Sequence, residues 1–88
     1  MKDLKNLPKG TKVINRFQGL KNSPCNYNGR TAIILSQDEE GDYWCFYPNT
    51  AYGDSLTEEE DEYLESLGID EFGTCAWCFP QWMEVVED

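Results

Sequence analysis

The sequence predicts a mainly β fold, a small barrel of about five short strands into which an acidic α-helix is inserted at about residues 58–67. Short apolar runs separated by clusters of glycine, asparagine and proline indicate the strands. Between Asp54 and Asp70 the alternation stops and acidic residues dominate. Because the chain has 88 residues, we expect a single domain over residues 1–88, with the acidic insertion at about residues 54–71.

The strands are predicted from apolar runs, and the turns from the residues between them. The predicted strands are Thr11 to Phe17, Arg30 to Leu35, Tyr43 to Tyr47, Phe72 to Phe79 and Met83 to Val86. A long loop from Gln18 ends at Asn28-Gly29, a strong turn signal, and the acidic residues 38–42 form a hairpin turn. Pro80-Gln81-Trp82 predicts a tight turn before the last strand. The predicted core residues are Val13, Ile33, Trp44, Phe46, Trp77 and Val85.

The helix prediction depends on capping residues at both ends of the acidic segment. Thr57 and Glu60 have the spacing of a capping box, and the acids at positions 58–60 complement the helix dipole. Gly68 is the residue type favoured just past a helix end. The apolar residues Tyr63, Leu64 and Leu67 form only a narrow stripe, so we expect a surface helix with most of its carboxylates in water.

Three segments together resemble the SH3-like small barrels, in particular small bacteriophage proteins of unknown function. Gly10-Thr11-Lys12-Val13-Ile14 is similar to the opening strand, and Asn28-Gly29 followed by residues 30–34 to the glycine-led second strand. Residues 77–86, Trp-Cys-Phe-Pro-Gln-Trp-Met-Glu-Val-Val, are similar to the short helical turn and final strand. The resemblance covers most of the chain except about residues 54–70. It implies a fold and a phage-type source, but no activity.

The charge distribution is the most unusual property of the composition. Seven basic and 17 acidic residues give a net charge of −10 with no histidine. Residues 1–30 hold every basic residue and one acid, a net +6, whereas residues 31–88 carry −16. Such a surface attracts basic partners and repels nucleic acid, whose binding requires lysine and arginine. A role in solubility alone remains an alternative.

The N-terminus carries no apolar run of signal-peptide length, and we expect a cytoplasmic protein whose cysteines are reduced. Cys25, Cys45, Cys75 and Cys78 are enough ligands for a structural zinc ion, but only Cys75 and Cys78 form a close pair. On a strand those two side chains point to opposite faces. We therefore predict free thiols that pack as small hydrophobes, and no metal or other cofactor.

Catalysis is not predicted. Without histidine the chain lacks the commonest general base and the usual partner of a serine or cysteine nucleophile. The acids at positions 38–42 have a superficial likeness to a calcium loop, but lack the alternating ligands and the terminal glutamate of an EF-hand. A hairpin turn accounts for them better.

The candidate site is a block of nine acids within eighteen residues that contains no basic residue. Like charges three or four residues apart destabilise a helix slightly, so helix stability does not select this pattern. The predicted partner-binding residues are Asp54, Glu58, Glu59, Glu60, Asp61, Glu62, Glu65, Asp70 and Glu71. Their carboxylates would imitate a row of phosphates and occupy the groove of a basic host protein, such as a nucleic-acid-processing enzyme or effector. The alternative for these acids is a solvated helix face.

Two other binding functions are open. A generic interaction or virion module would hold its partner through exposed aromatic residues, for which the candidates are Tyr27, Tyr47, Tyr52 and Trp82. Direct binding of nucleic acid would use the N-terminal basic residues Lys9, Lys12, Arg16, Lys21 and Arg30. The acidic remainder of the surface disfavours this third function.

Overall fold

The fold is an antiparallel β-sheet with one α-helix, in a computed structural model that describes residues 7–17, 27–51 and 53–86. The elements are β1 (Lys12–Asn15), β2 (Thr31–Gln37), β3 (Tyr43–Pro48), α1 (Glu58–Ser66), β4 (Gly73–Cys78) and β5 (Met83–Val85), with a 3-10 turn at Pro80–Trp82 before β5. Each predicted strand is therefore present, within two residues of its predicted bounds at either end. The part of the long loop at residues 18–26 lies outside the described residues.

The strands form one sheet in the order β4-β3-β2-β1-β5, in which every neighbouring pair is antiparallel. Chain neighbours pair from β1 to β4, and β5 returns to the free side of β1. No ladder joins β4 to β5 within the described ranges, so the sheet is open there. The mainly β prediction is confirmed, whereas a closed barrel is not shown.

Both faces of the sheet are covered by apolar residues. On the first face, the buried side chains of Val13, Ile34, Tyr43, Cys45, Tyr47 and Cys78 form the larger cluster. On the opposite face, Ile33, Leu35, Phe46 and Cys75 pack against Leu64 of α1. We call this second face the helix face. The buried Leu64 confirms the narrow apolar stripe predicted for the helix, since it is the only fully buried residue of α1.

The predicted core is correct for Val13, Ile33 and Phe46, which are buried, and wrong for Trp77. Trp77 remains 44% exposed, because it lies near the end of β4, an edge strand of the sheet, where it pairs with Trp44. Trp44 and Val85 are half-buried. The residues missed in β3 are Tyr43, Cys45 and Tyr47, which alternate with the predicted ones and fill the opposite face.

The turns follow the predicted chemistry. At Asn28-Gly29 the backbone amide of Arg30 donates to the carbonyl of Tyr27 at 2.9 Å, and Gly29 has φ +81°, a conformation that favours glycine. In the hairpin turn, Asp38 Oδ1 accepts from the amides of Glu40 and Asp42, each at 2.9 Å. The hairpin prediction for residues 38–42 is thus confirmed.

The helix begins with the predicted capping box. The Thr57 hydroxyl accepts from the Glu60 amide at 3.2 Å, and Glu60 Oε1 accepts from the Thr57 amide at 2.9 Å. At the other end, the Gly68 amide donates to the carbonyl of Glu65 at 3.0 Å, with Gly68 at φ +80°. The helix therefore ends at Ser66, one residue earlier than predicted.

Candidate partner-binding surface

The predicted site residues lie on α1 and on the segments that flank it in the chain. Eight of these carboxylate residues are exposed: Asp54, Glu58, Glu59, Asp61, Glu62, Glu65, Asp70 and Glu71. Among the described residues, the one ion pair joins Arg16 to Glu84 at 2.8 Å, away from this surface. Within residues 7–17, 27–51 and 53–86, the eight exposed carboxylates therefore have no cation at salt-bridge distance. We call these eight residues the acidic surface.

Glu60, the ninth predicted residue, has a different environment. Its Oε2 accepts a hydrogen bond from the indole Nε1 of Trp44 at 3.0 Å, while Oε1 caps the helix at Thr57. Both oxygens therefore already bond within the fold, and Glu60 is half-buried. Because both oxygens are engaged within the fold, one of them in a charge-assisted bond to Trp44, we leave Glu60 out of the acidic surface.

Asp54 is attached to the sheet by its backbone. Its amide and carbonyl exchange hydrogen bonds of 2.9 and 2.8 Å with the carbonyl and amide of Cys75, on the outer side of β4. The carboxylates of Asp54 and Glu60 both lie close enough to Cys75 to influence its ionisation. Burial is the main cause, and with Glu60 and Asp54 it raises the pKa of the Cys75 thiol to about 12.

Two lysines from the basic N-terminal segment lie near the acidic surface rather than at an opposite pole. Lys9 Nζ is 4.0 Å from the ring centroid of Tyr63, and Lys9 lines a groove with Glu59 and Glu60. Lys12 lines a second groove, which also contains Glu71. The separation of charge along the chain is therefore only partly preserved in space, and Lys9 and Lys12 reduce the negative potential at these two borders.

Four aromatic residues are exposed in the described part of the chain: Phe72 at 69%, Trp77 at 44%, Phe79 at 39% and Trp82 at 38%. The last three make ring contacts, in two separate places. Trp77 meets Trp44 edge-to-face, with ring centroids 4.9 Å apart. Near β5, Trp82 makes edge-to-face contacts with Phe17 at 4.9 Å and with Phe79 at 6.1 Å. Of the exposed aromatic residues, only Trp82 is among the binding candidates that the sequence predicts.

The other three aromatic candidates are not confirmed as exposed residues. Tyr47 was predicted to be exposed, but it is fully buried and stacks on Tyr27 at 4.3 Å. Its hydroxyl accepts a hydrogen bond from Asn15 Nδ2 at 2.9 Å, which satisfies this polar group inside the core. Tyr27 is half-buried by that stacking, and Tyr52 lies outside the described residues.

The cysteines pack in the core. Cys45, Cys75 and Cys78 are buried free thiols, and Cys25 lies outside the described residues. Cys75 and Cys78 point to opposite faces of the sheet, as predicted from their spacing on a strand. A hydrogen bond between the thiols of Cys45 and Cys78, together with burial, raises the pKa of Cys45. These positions do not bring Cys75 and Cys78 together as a chelating pair.

Among the residues that the structure describes, one group of carboxylates has spacing compatible with a cation. The ligand oxygens of Asp38, Glu40 and Asp42 lie within 4.8 Å of one another in the hairpin turn. The Asp38 carboxylate already organises this turn through its two amide bonds. The hairpin turn itself therefore brings these three carboxylates close together.

Comparisons with protein-family models, curated proteins and solved structures gave no significant match. In the part of the chain that the structure describes, no helix has the length and apolar character needed to cross a membrane.

Proposed function

We propose that this protein is a non-enzymatic acidic binding protein, a phage-type inhibitor or modulator of a basic host protein that binds nucleic acid. The acidic surface would occupy the partner's nucleic-acid groove, with carboxylates in the places of phosphates. The single observation that carries this proposal is the set of eight exposed carboxylates that lack an ion-pair partner among the described residues.

The charge density of α1 supports phosphate mimicry. Glu58, Glu59, Asp61, Glu62 and Glu65 are exposed on a helix that rises about 1.5 Å per residue, so they span roughly 10 Å. This is about one charge per 2 Å, close to the one per roughly 1.7 Å of duplex DNA. A basic groove that neutralises phosphates therefore meets a comparable linear charge density along this helix.

The conformation of the acidic helix is defined by the fold. The capping box fixes its first turn, Leu64 packs on the sheet, and Glu60 bonds Trp44. A helix held in this way offers its carboxylates without having to fold at the interface. Because less conformational entropy is lost on binding, an ordered charge array favours affinity.

A second candidate function is an interaction or virion module anchored by aromatic residues. The observation that favours it is the cluster of Phe17, Phe79 and Trp82, in which Phe79 and Trp82 are 39% and 38% exposed. Trp and other aromatic residues often dominate binding energy when a partner buries them. We expect such an interface to resist salt, unlike one formed by the acidic surface.

Direct binding of nucleic acid has less support. Arg16 is paired with Glu84, Lys9 lies over Tyr63 and Lys12 lines a groove with Glu71. To bind nucleic acid, these residues would have to contact phosphates close to carboxylates. The carboxylates repel the phosphates.

We further propose that the sheet is the core of an SH3-like barrel. The meander from β1 to β4 and the return of β5 to pair with β1 support this assignment. The fold is independent of the functional proposal, because related barrels serve many functions.

The functional proposal is tested by affinity capture from a bacterial lysate. Bound proteins are eluted with a salt gradient and identified by mass spectrometry, using the wild-type protein and a variant in which Glu58, Glu59, Asp61, Glu62 and Glu65 are replaced by Gln or Asn. We expect a nucleic-acid-binding protein that the variant fails to capture and that duplex DNA displaces. Recovery of virion components by both forms would instead favour the aromatic module.

A further inference from the structure

Trp77 is an exposed indole on the helix face, and its position is fixed by the residues behind it. It pairs with Trp44 across β3 and β4, and the two rings meet edge-to-face at 4.9 Å. Trp44 is held in turn by the hydrogen bond from its Nε1 to Glu60. The indole of Trp77 thus rests against an oriented neighbour, although 44% of the residue remains exposed.

Carboxylates flank this tryptophan pair on the sheet and on α1. Asp42 directly precedes Tyr43, the residue next to Trp44 on β3. The first turn of α1 carries acids at positions 58–61, and its Glu60 contacts Trp44. Asp54 bonds the backbone of Cys75, two residues before Trp77 on β4. Trp77 therefore offers an aromatic face within a strongly negative part of the surface.

An exposed aromatic ring among carboxylates favours one kind of partner side chain. A neutral apolar partner would leave the surrounding carboxylates desolvated without partners, which is costly. An anionic partner would be repelled. A planar guanidinium stacks on an aromatic ring and donates to neighbouring carboxylates at the same time, and it is less strongly hydrated than an ammonium group.

We propose that Trp77, supported by Trp44, is the anchor that receives an arginine side chain of the basic partner. The inference rests on the proposed function and identifies the contact that adds specificity to it. The acidic surface draws the basic segment in over a distance of about 10 Å at 0.1 M salt, and Trp77 holds one guanidinium at short range. Trp77 is a contact outside the nine acids of the predicted site.

Trp82 provides a matched control. It is exposed to a similar extent, 38%, and also makes edge-to-face aromatic contacts, but with Phe17 and Phe79. Its neighbour Arg16 is paired with Glu84, so its surroundings are close to neutral. Electrostatic attraction therefore does not favour binding of a guanidinium at Trp82.

The test is titration of the protein with two short peptides that differ only in carrying arginine or lysine at alternate positions between glycines. Binding is followed by calorimetry and by the indole Nε1–H resonances in NMR spectra. The forms compared are wild type, Trp77→Ala, Trp77→Tyr, Trp82→Ala and the variant with five neutralised acids described above, each checked for folding by its spectrum.

We expect the arginine peptide to bind more tightly than the lysine peptide and to shift the Trp77 indole resonance. Trp77→Ala should weaken binding of the arginine peptide about two- to five-fold, the range for an exposed cation–π contact, while Trp77→Tyr retains most of the affinity. Trp82→Ala should leave binding unchanged.

Equal affinity of Trp77→Ala and wild type for the arginine peptide, combined with no shift of the Trp77 indole resonance in wild type, would overturn the anchor. An equal loss in Trp77→Ala and Trp82→Ala would overturn it as well. In either case, weaker binding by the variant with neutralised acids would leave the proposed function intact. The proposed function itself fails if that variant binds a captured partner as wild type does.

Discussion

The carboxylate of Glu60 joins the acidic helix to the sheet, because its Oε2 accepts a hydrogen bond from Trp44 Nε1 at 3.0 Å. The other oxygen of the same carboxylate caps the helix at the Thr57 amide. One side chain thus fixes the start of α1 and its position against β3. Glu60 therefore has a structural role, whereas the other acids of α1 are exposed and available to a partner.

Replacing Glu60 by Gln should destabilise the protein by about 1–2 kcal/mol, measured by urea unfolding. Glu60 accepts from Thr57 and from Trp44 with different oxygens, whereas Gln in the same orientation places an NH2 donor at one of these two positions. The bond it keeps is no longer charge-assisted. The matched control is Glu62→Gln, two residues further along the same helix and exposed. That change should be neutral or slightly stabilising, because it reduces repulsion between like charges. Equal stabilities for the two variants would contradict this role of Glu60.

Truncation of Phe46 and of Trp77 should have different effects on the free energy of unfolding, because one is buried and the other exposed on the same face of the sheet. Phe46→Ala removes a fully buried ring and should cost roughly 3–5 kcal/mol. Trp77→Ala should cost much less, about 1 kcal/mol, because the side chain is already 44% exposed. Thermal unfolding of both variants measures the difference, and a larger loss for Trp77→Ala would show that Trp77 is a core residue.

Gly73 is expected to be intolerant of a side chain because of close packing. A Cβ at this position would collide with the carbonyl oxygen of Tyr47 and lie 2.7 Å from Cζ of Phe46. The backbone must therefore move, and Gly73→Ala should destabilise by about 1–3 kcal/mol. Gly41→Ala is the comparison, since the nearest neighbour of its Cβ would be the flexible Gln37 side chain at 3.8 Å and only its φ of +94° is unfavourable. If Gly41→Ala proves the more harmful in chemical denaturation, crowding at Gly73 is not the dominant effect.

The ionisation of Cys75 should make stability fall at alkaline pH. Its pKa is raised by burial, and further by Glu60 and Asp54, from 9.0 to about 12 in the folded protein. Between these values the unfolded chain releases the proton and the folded chain retains it, so unfolding becomes more favourable as pH rises. The contribution is fully present below pH 9.0. Tyr47, whose pKa is also raised mainly by burial, acts in the same direction.

Comparison with Cys75→Ala isolates this thiol, because the other titrating groups are common to both proteins. From about pH 8 to about pH 10.5, wild type should lose roughly 2 kcal/mol more unfolding free energy than the variant. Urea titrations at the two pH values provide the measurement. Parallel losses in the two proteins would mean that Cys75 ionises as easily in the fold as in the unfolded chain.

The helix could be predicted almost completely from sequence, because its limits are set by local chemistry. Thr57, Glu60 and Gly68 act on backbone groups within a few residues, so their spacing is sufficient to identify both ends. The exposed acids also follow from the narrow apolar stripe. The sequence alone is therefore sufficient to predict this part of the candidate site.

The position of Trp77 could not be predicted in the same way. Strands β3 and β4 carry apolar residues on both faces, since one face meets the main cluster and the other meets α1. A continuous apolar run has no alternation that reveals its phase. The Glu60–Trp44 bond was equally hidden, because it joins residues 16 positions apart whose meeting depends on the whole fold.

The most direct test of the central claim is the rate at which the captured partner associates with the protein at low and high salt. The acids Glu58, Glu59, Asp61, Glu62 and Glu65 are exposed, so replacing them by Gln or Asn should leave the melting temperature nearly unchanged. If the acidic surface is the binding site, this variant should associate about ten-fold or more slowly at low salt, and its rate should depend less on salt. An unchanged rate and an unchanged salt dependence would show that the acidic helix is only a solvated face.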